Sequence, residues 1–403
     1  MQILILSDAY LPASTLAHAR MLHELALEFL RCGHKVAVLT PGHYSQRERM
    51  VRNSLDGIDI LNFRSKPTRG VSQVRRAINE SLLSFYAYRA LNSGKDKTSF
   101  DLVINYSPTI FFGPLARWYK KQGAYVYLIL RDFFPQWVIE RKLIKDNSII
   151  ARYFRFFEHL NYRSSNLISV QSPANIEIFR NMAGCQEYPL DVLYNWTKQV
   201  SDLEDGFGSF FLNNLNLDEK FIFFYGGNIG YAQDIPYILN LAEQFLPQES
   251  VHFLLIGQGD QFENTRAIIK ERNLFNVTLK GSVSQEEYQS LLAHVDVGLF
   301  TLAKSHSAHN FPGKIFGYLA AGLPILGAVN AGNDLTGVIN QSGAGRVTVN
   351  GNGEDFYQDA FSIYSDHELR SDMSASGAQL LDGLFSVCTA ADKILKAYLS
   401  RRQ

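Results

Sequence analysis

His309-Asn-Phe-Pro-Gly-Lys-Ile-Phe-Gly-Tyr-Leu-Ala-Ala-Gly-Leu-Pro-Ile-Leu-Gly327 divides into a polar loop, a glycine turn, a short helix, and a Gly-Leu-Pro turn into a small apolar strand. Proline fits the first helical position, so the helix starts near Pro312. The backbone N–H groups of Gly313, Lys314 and Ile315 would then point outward unpaired, with a cation beside them. Such a helix start suits an anion, most simply a diphosphate. A plain packing helix with an incidental lysine has the same local pattern.

Outward from this stretch, strand-like apolar runs alternate with helix-like segments. In the first half, Gln2–Leu6, Val36–Thr40, Gly57–Phe63, Leu102–Asn105, Tyr125–Leu130 and Leu167–Val170 read as strands. Ala17–Leu30 and Phe112–Lys121 have helical apolar spacing. Residues 198–220 are polar, acidic and glycine-bearing and read as a linker. A second series follows, with strands at Phe221–Tyr225, Val251–Ile256, Asn276–Leu279, Val297–Phe300 and Ile325–Leu326 and helices at Ile235–Gln244 and Gln285–Ala293. Order of this kind implies an α/β chain of two doubly wound, Rossmann-like domains facing a cleft. The expected boundaries are 1–197, a linker over 198–220, a second domain over 221–385, and a last helix over 386–403 that packs back on the first domain. Ligands in such folds sit at the carboxyl ends of the strands.

The chain has 403 residues, enough for two cores, and its 46% hydrophobic and 19% charged residues are ordinary for a globular protein. Lys+Arg equals Asp+Glu at 39 each, which argues against a dedicated nucleic-acid binder. The three cysteines, Cys32, Cys185 and Cys388, are scattered, which suggests reduced thiols in a cytosolic setting and no metal cluster. The N-terminus carries no signal-peptide pattern, and no run approaches the ~20 apolar residues of a membrane span.

Three further loops of the second half carry glycine at strand ends: Tyr225-Gly-Gly-Asn-Ile-Gly230, Ile256-Gly-Gln-Gly-Asp260 and Lys280-Gly-Ser-Val-Ser-Gln285. Glycine lets backbone approach a ligand closely. Each loop alone suits a simple turn; together with the Pro312–Lys314 helix start they favour a nucleotide-diphosphate site. None ends in the Gly-Lys-Ser/Thr of a Walker A loop, and no Gly-x-Gly-x-x-Gly follows Gln2–Leu6.

These motifs together resemble the family 4 glycosyltransferases of the GT-B fold. The family motif runs Glu-Gly-Phe-Pro, four residues, Glu-Ala, then a Gly-x-Pro-Val turn. Here His309 stands at the first Glu, Phe311-Pro312 on the Phe-Pro, Gly317 at the second Glu, and Gly322-Leu-Pro-Ile in register. The resemblance extends to Asp8-Ala-Tyr-Leu-Pro12, the Gly33-His34-Lys-Val turn, Asn195 and Gly227–Gly230. Asn310-Phe-Pro-Gly-Lys314 and Leu130-Arg-Asp-Phe-Phe-Pro-Gln136 look most like a bacterial O-antigen and polysaccharide subgroup that includes L-fucosamine transferases.

The resemblance implies a retaining, metal-independent transfer, without a cofactor, of an N-acetylated deoxysugar such as N-acetyl-L-fucosamine from UDP. The acceptor it implies is an undecaprenyl-diphosphate-linked saccharide, handled on the cytoplasmic face of the inner membrane in lipopolysaccharide O-antigen biosynthesis. The family's second Glu holds the nucleotide ribose, and Gly317 has no side chain to do so. The expected donor-binding residues are Gly227, Asn228, Gly230, Gly257, Gly259, Pro312, Gly313, Lys314 and Ile315. Lys314 would stabilise the departing diphosphate, helped by Arg131 from across the cleft, because Gln233 stands where relatives have a cation. His309 would hydrogen-bond or carry charge near the donor, or is simply a solvent-exposed loop residue. Asp132, just beyond the Tyr125–Leu130 strand, would accept the acceptor hydroxyl proton, or else caps a turn. Asp8 and His18 face the same presumed cleft.

Two segments, Arg64–Arg76 and Arg141–Arg163, are rich in cations, the second interleaved with Tyr and Phe. They suit an anionic membrane surface and equally a solvated helix face. No Asp-x-Asp metal motif occurs; the nearest spacings are Asp202-Leu-Glu204 and Asp366-His-Glu368. A nucleotide-sugar epimerase of the same fold and a non-catalytic partner subunit are the alternatives.

Overall fold

The computed structural model describes all residues except 15, 94–98, 141, 184–186, 199–205, 306–310 and 402–403. His309, Cys185, Asp202 and Glu204 therefore lie outside the described residues. The chain forms two compact units, one of Met1–Tyr194 with Val387–Gln403, the other of Asn195–Ser386.

The first unit is built on eight strands: β1 Gln2–Leu6, β2 Lys35–Gly42, β3 Met50–Leu55, β4 Ile58–Arg64, β5 Leu102–Ser107, β6 Tyr125–Leu130, β7 Leu167–Val170 and β8 Leu190–Val192. Their spatial order is β3-β4-β2-β1-β5-β6-β7-β8. All neighbours are parallel except β3 and β4, which form a hairpin. Its two-residue turn, Asp56-Gly57, has φ of 52° and 82°, the doubly positive backbone that an Asp-Gly pair tolerates. Strands β5 and β6 are buried along their whole length; β6 reads as an unbroken apolar run, and in β5 the buried Asn105 donates from Nδ2 to Asn161 Oδ1 at 2.7 Å. The Ala17–Arg31 helix buries Ala19, Leu22, Leu25, Ala26 and Phe29, one face at helical spacing. The C-terminal helix, Val387–Ser400, packs against it.

The second unit carries β9 Phe221–Asn228, β10 Val251–Gln258, β11 Val277–Lys280, β12 Val297–Thr301, β13 Ile325–Val329 and β14 Gly345–Val349. All are parallel, in the order β11-β10-β9-β12-β13-β14. Phe223, Tyr225, Phe253, Leu255 and Leu299 lie at the heart of its core. Part of the segment read as linker is helix, Phe207–Asn213, and belongs to this unit. Gly208 allows this, since a Cβ there would overlap the Ser290 carbonyl, and its N–H donates to Ser290 Oγ at 2.8 Å. Strands β3, β8 and β14 were not legible as strands; they are short edge elements with few large apolar side chains.

Each sheet has one point at which the winding reverses: between β1 and β5 in the first unit, and between β9 and β12 in the second. Loops on the two sides of such a point diverge to opposite faces and leave a crevice at the carboxyl ends of the strands.

Candidate functional site

In the second unit two of the predicted glycine loops, Gly226–Gly230 and Gly257–Gly259, meet beside the switch point, while the Lys280–Gln285 loop follows edge strand β11. The parallel register sets Gly257 beside Gly227 and Gln258 beside Asn228. The closeness is obligatory, because a Cβ on Gly257 would overlap the Gly227 carbonyl oxygen, and one on Gly259 would overlap that of Ile229. Gly227 has φ of 140°, a conformation that side chains disfavour. Asn228 donates from Nδ2 to Gln233 Oε1 at 2.8 Å, so the two residues brace one loop. Gly230 lies beneath that pair.

The opening helix spans Gly313–Ala320, with Pro312 just before it in extended backbone, φ −59° and ψ 132°. Ile315 departs from the expectation. Its N–H donates to the Pro312 carbonyl at 3.1 Å, closing a tight first turn, and is not free for an anion. The exposed Gly313 marks the open end of the helix.

Lys314 lies at the centre of this arrangement. Its side chain runs back over the β9 end, with Cε 3.4 Å and Nζ 3.6 Å from the place a Gly227 Cβ would take. The ammonium lies 3.4 Å from the centroid of the Tyr225 ring. The residue as a whole is half-buried, but Nζ itself is sealed from solvent and has no hydrogen-bond partner among the described residues. Burial pushes its pKa well below the usual lysine range. The Tyr225 hydroxyl is spent elsewhere, donating to the Asn228 carbonyl at 2.6 Å, so it holds the ring and the loop together. A cation pinned on an aromatic face beside a glycine loop is a charge waiting for an oxyanion.

Tyr225, Tyr288 and Tyr318 were not singled out from sequence. Tyr318 donates to the Leu299 carbonyl at 3.0 Å and accepts from the Gly226 N–H at 3.1 Å, tying the helix to β9 and β12. Tyr288 packs its ring over Gly226, where a side chain would collide with it. A Cβ on Gly317 would meet Leu292 at 3.7 Å and the Tyr288 ring and hydroxyl at 3.8 and 3.9 Å, ordinary contact distances.

A second constellation occupies the switch point of the first unit. Asp8 follows β1, Tyr106 lies in β5, Asp132 follows β6, and His18 sits in the first turn of the Ala17–Arg31 helix. His18 Nε2 and Asp8 Oδ1 are 3.5 Å apart, and neither has a hydrogen-bond partner among the described residues. The imidazole stacks on Tyr106 at 5.5 Å between centroids. Arg69 reaches the other Asp8 oxygen, also at 3.5 Å. Asp132 keeps contact with solvent, but the surrounding protein displaces much of its water and raises its pKa, opposed chiefly by the nearby His18. Arg131 is not available as a phosphate clamp. It donates to the Leu193 and Tyr194 carbonyls at 2.6 and 3.3 Å and so anchors the end of this unit.

Among the described residues no group of three His, Cys, Asp or Glu side chains has metal-holding geometry. No helix among the described residues is long and apolar enough to cross a membrane.

Two parallel-sheet units, each with its polar residues gathered at a switch point, have the architecture of GT-B glycosyltransferases. Sequence comparison agrees: a "Glycosyl transferase 4-like domain" matches residues 17–196 and "Glycosyl transferases group 1" matches residues 210–380. The chain thus carries a glycosyltransferase 4-like domain in its first unit and a group 1 glycosyltransferase domain in its second. It is similar to the probable glycosyltransferase WbjE of Pseudomonas aeruginosa, with 27% identity over 222 residues, a match that spans 54% of each protein. Anabaena HepE, solved with UDP-glucose, superposes with a TM-score of 0.67 at 15% identity, covering 99% of this chain and 100% of that one. WaaG, a glycosyltransferase involved in lipopolysaccharide biosynthesis, gives 0.65 at 13% identity, covering 97% and 99%.

Proposed function

We propose that the protein transfers a sugar, with retention of configuration and without a metal, from a UDP-linked donor to a lipid-diphosphate-linked saccharide during cell-surface polysaccharide assembly. The observation that carries the reading is the sealed, unpartnered Lys314 ammonium beside Gly227, in the Gly226–Gly230 loop against which the Gly257–Gly259 loop packs. UDP in the HepE complexes and the lipopolysaccharide role of WaaG support the donor and the pathway. An N-acetylated deoxysugar such as N-acetyl-L-fucosamine and an undecaprenyl-diphosphate acceptor at the inner membrane follow from the sequence resemblance.

In this reaction the bond from the anomeric carbon to the diphosphate oxygen breaks, and a bond to the acceptor oxygen forms on the same face. Negative charge grows on the diphosphate. Lys314 supplies the positive charge for it, and the glycine loops admit the phosphates to the backbone. Gln233 is not a second clamp, since it is engaged with Asn228. In the first unit Asp132 takes the acceptor proton, and the Asp8–His18 pair holds a neighbouring hydroxyl. His309 is assigned to the donor sugar on its sequence position alone.

The test is turnover. The purified protein is incubated with UDP- and GDP-sugars and a lipid-diphosphate GlcNAc acceptor, with and without EDTA. Transfer from a UDP-sugar unaffected by EDTA is expected. Absence of transfer from every donor removes the enzymatic reading, and loss of activity in EDTA removes the metal-free one.

A further inference from the structure

The Ile149–Arg163 helix carries apolar residues on both of its faces. Inward, Ala151, Phe154 and Tyr162 are buried. Outward, Ile149, Tyr153 and Phe156 repeat at spacings of four and three, a single face, and are 86%, 42% and 63% exposed. A surface helix ordinarily turns charge to water there. Arg152 and Arg163 lie on the same outward face and are exposed as well.

A second exposed stripe lies on the Gln73–Ser81 helix, where Val74 and Ile78 are 71% and 56% exposed. The two helices are neighbours. Ala77 of one and Phe154 and Phe157 of the other pack into one cluster with Phe111, Phe134 and Ile144. Leu143, 66% exposed, stands on the loop leading into the Ile149–Arg163 helix between Lys142 and Lys145. The face thus combines apolar side chains with Arg75, Lys142, Lys145, Arg152 and Arg163. The nearby acids Glu80 and Glu158 are already paired, with Arg76 at 2.7 Å and Arg155 at 3.0 Å. Glu140 and Asp146, which flank Lys142 and Lys145 in the chain, are exposed as well, so the five cations named outnumber the remaining acids and the net charge of the face is positive.

We infer that this face of the first unit docks on an anionic lipid bilayer. Apolar side chains flanked by unpaired cations match the interface of such a membrane, where the former enter the acyl boundary and the latter meet the headgroups. A second protein copy with the same face would bring like charges together, which the cation excess disfavours. The inference gives a surface to the lipid-borne acceptor proposed above, and it is tested without any transfer step.

The experiment is flotation of the full chain with vesicles of pure phosphatidylcholine and of phosphatidylcholine with about 30% phosphatidylglycerol. Binding to the anionic vesicles at low salt, at least tenfold above the neutral ones, is expected. The double variant Ile149→Ser/Phe156→Ser and the double variant Arg152→Glu/Arg163→Glu should each lower the bound fraction about tenfold or more. Both should keep the wild-type melting temperature within a few degrees and full transfer to a water-soluble acceptor. Phe275→Ser, at a 66% exposed phenylalanine of the second unit, should bind as wild type. The inference is overturned if the wild type fails to float, if neutral vesicles bind equally, or if the two double variants float unchanged. It is also overturned if light scattering shows a dimer that Ile149→Ser/Phe156→Ser disrupts while vesicle binding is absent. Failure of transfer with intact, variant-sensitive flotation would remove the enzymatic reading and leave this one standing.

Discussion

Replacing Lys314 by Met tests the donor site most directly, because it should change stability and activity in opposite directions. Met keeps the length and flexibility of the chain and removes the ammonium. In the free protein that ammonium is desolvated and lacks a hydrogen bond, at a cost of about 1–3 kcal/mol for an unpaired buried polar group. Its contact with the Tyr225 ring returns roughly 0.5–2 kcal/mol. The balance favours Met by about 1 kcal/mol, or a rise of roughly 2–4 °C in melting temperature for a unit of this size. The sign with pH follows from the depressed pKa. Between that value and the ordinary 10.5, the unfolded chain binds more protons than the folded one. Wild-type stability therefore rises with pH across that window, and the advantage of Met shrinks toward pH 10.5. Turnover moves the other way. Loss of one preorganised charge at the leaving group should lower it by about 10²–10³-fold, close to 2.7–4 kcal/mol. Calorimetry adds a third readout. Where free Lys314 is partly neutral, UDP should draw a proton onto it, seen as a binding enthalpy that depends on buffer ionisation in the wild type and not in Lys314→Met. A fall in turnover under tenfold, a lower melting temperature, or the same proton uptake in both proteins would refute the reasoning.

Gly257→Ala places a methyl against the Gly227 carbonyl oxygen, and backbone cannot step aside cheaply; destabilisation of about 1–3 kcal/mol and at least tenfold weaker UDP binding are expected by melting and calorimetry. Asp132 must be ionised to accept a proton and its pKa is raised, so kcat/KM should fall as pH drops through a value above the ordinary 3.8. Asp132→Asn should cost about 10²-fold or more in rate and abolish that acidic limb in a pH–rate profile; an unchanged limb would assign it to another group. Gly317→Ala adds a methyl in ordinary contact with Leu292 and Tyr288 inside a helix. It should stabilise by about 0.5–1 kcal/mol in denaturant titration, and a loss would show that the space is needed by the helix.

Much of this site was legible in the sequence, because its determinants are local. Strand–helix alternation, glycine at strand ends and proline before a helix each act within a few residues. They located most strands to within a few positions and brought out Gly227, Asn228, Gly230, Gly257, Gly259 and Lys314 as one group. Edge strands such as β14, Gly-Arg-Val-Thr-Val, escaped because five residues with only two large apolar side chains give too short an alternation to stand out. The Phe207–Asn213 helix escaped because a polar, glycine-bearing segment looks like a linker until Ser290 is seen to receive it.

The sequence by itself determined the class of fold and the chemistry of the loops, since backbone preference and burial pattern follow from neighbouring residues. Only the tertiary structure decided what each charge does. It set Lys314 on the Tyr225 ring with no hydrogen-bond acceptor, closed the Ile315 amide onto Pro312, and committed Arg131 to the carbonyls of Leu193 and Tyr194. It also turned a helix with two apolar faces so that one of them meets solvent. Most of these outcomes depend on partners far apart in the chain, and the strength of a charge depends on how much water the fold removes from around it.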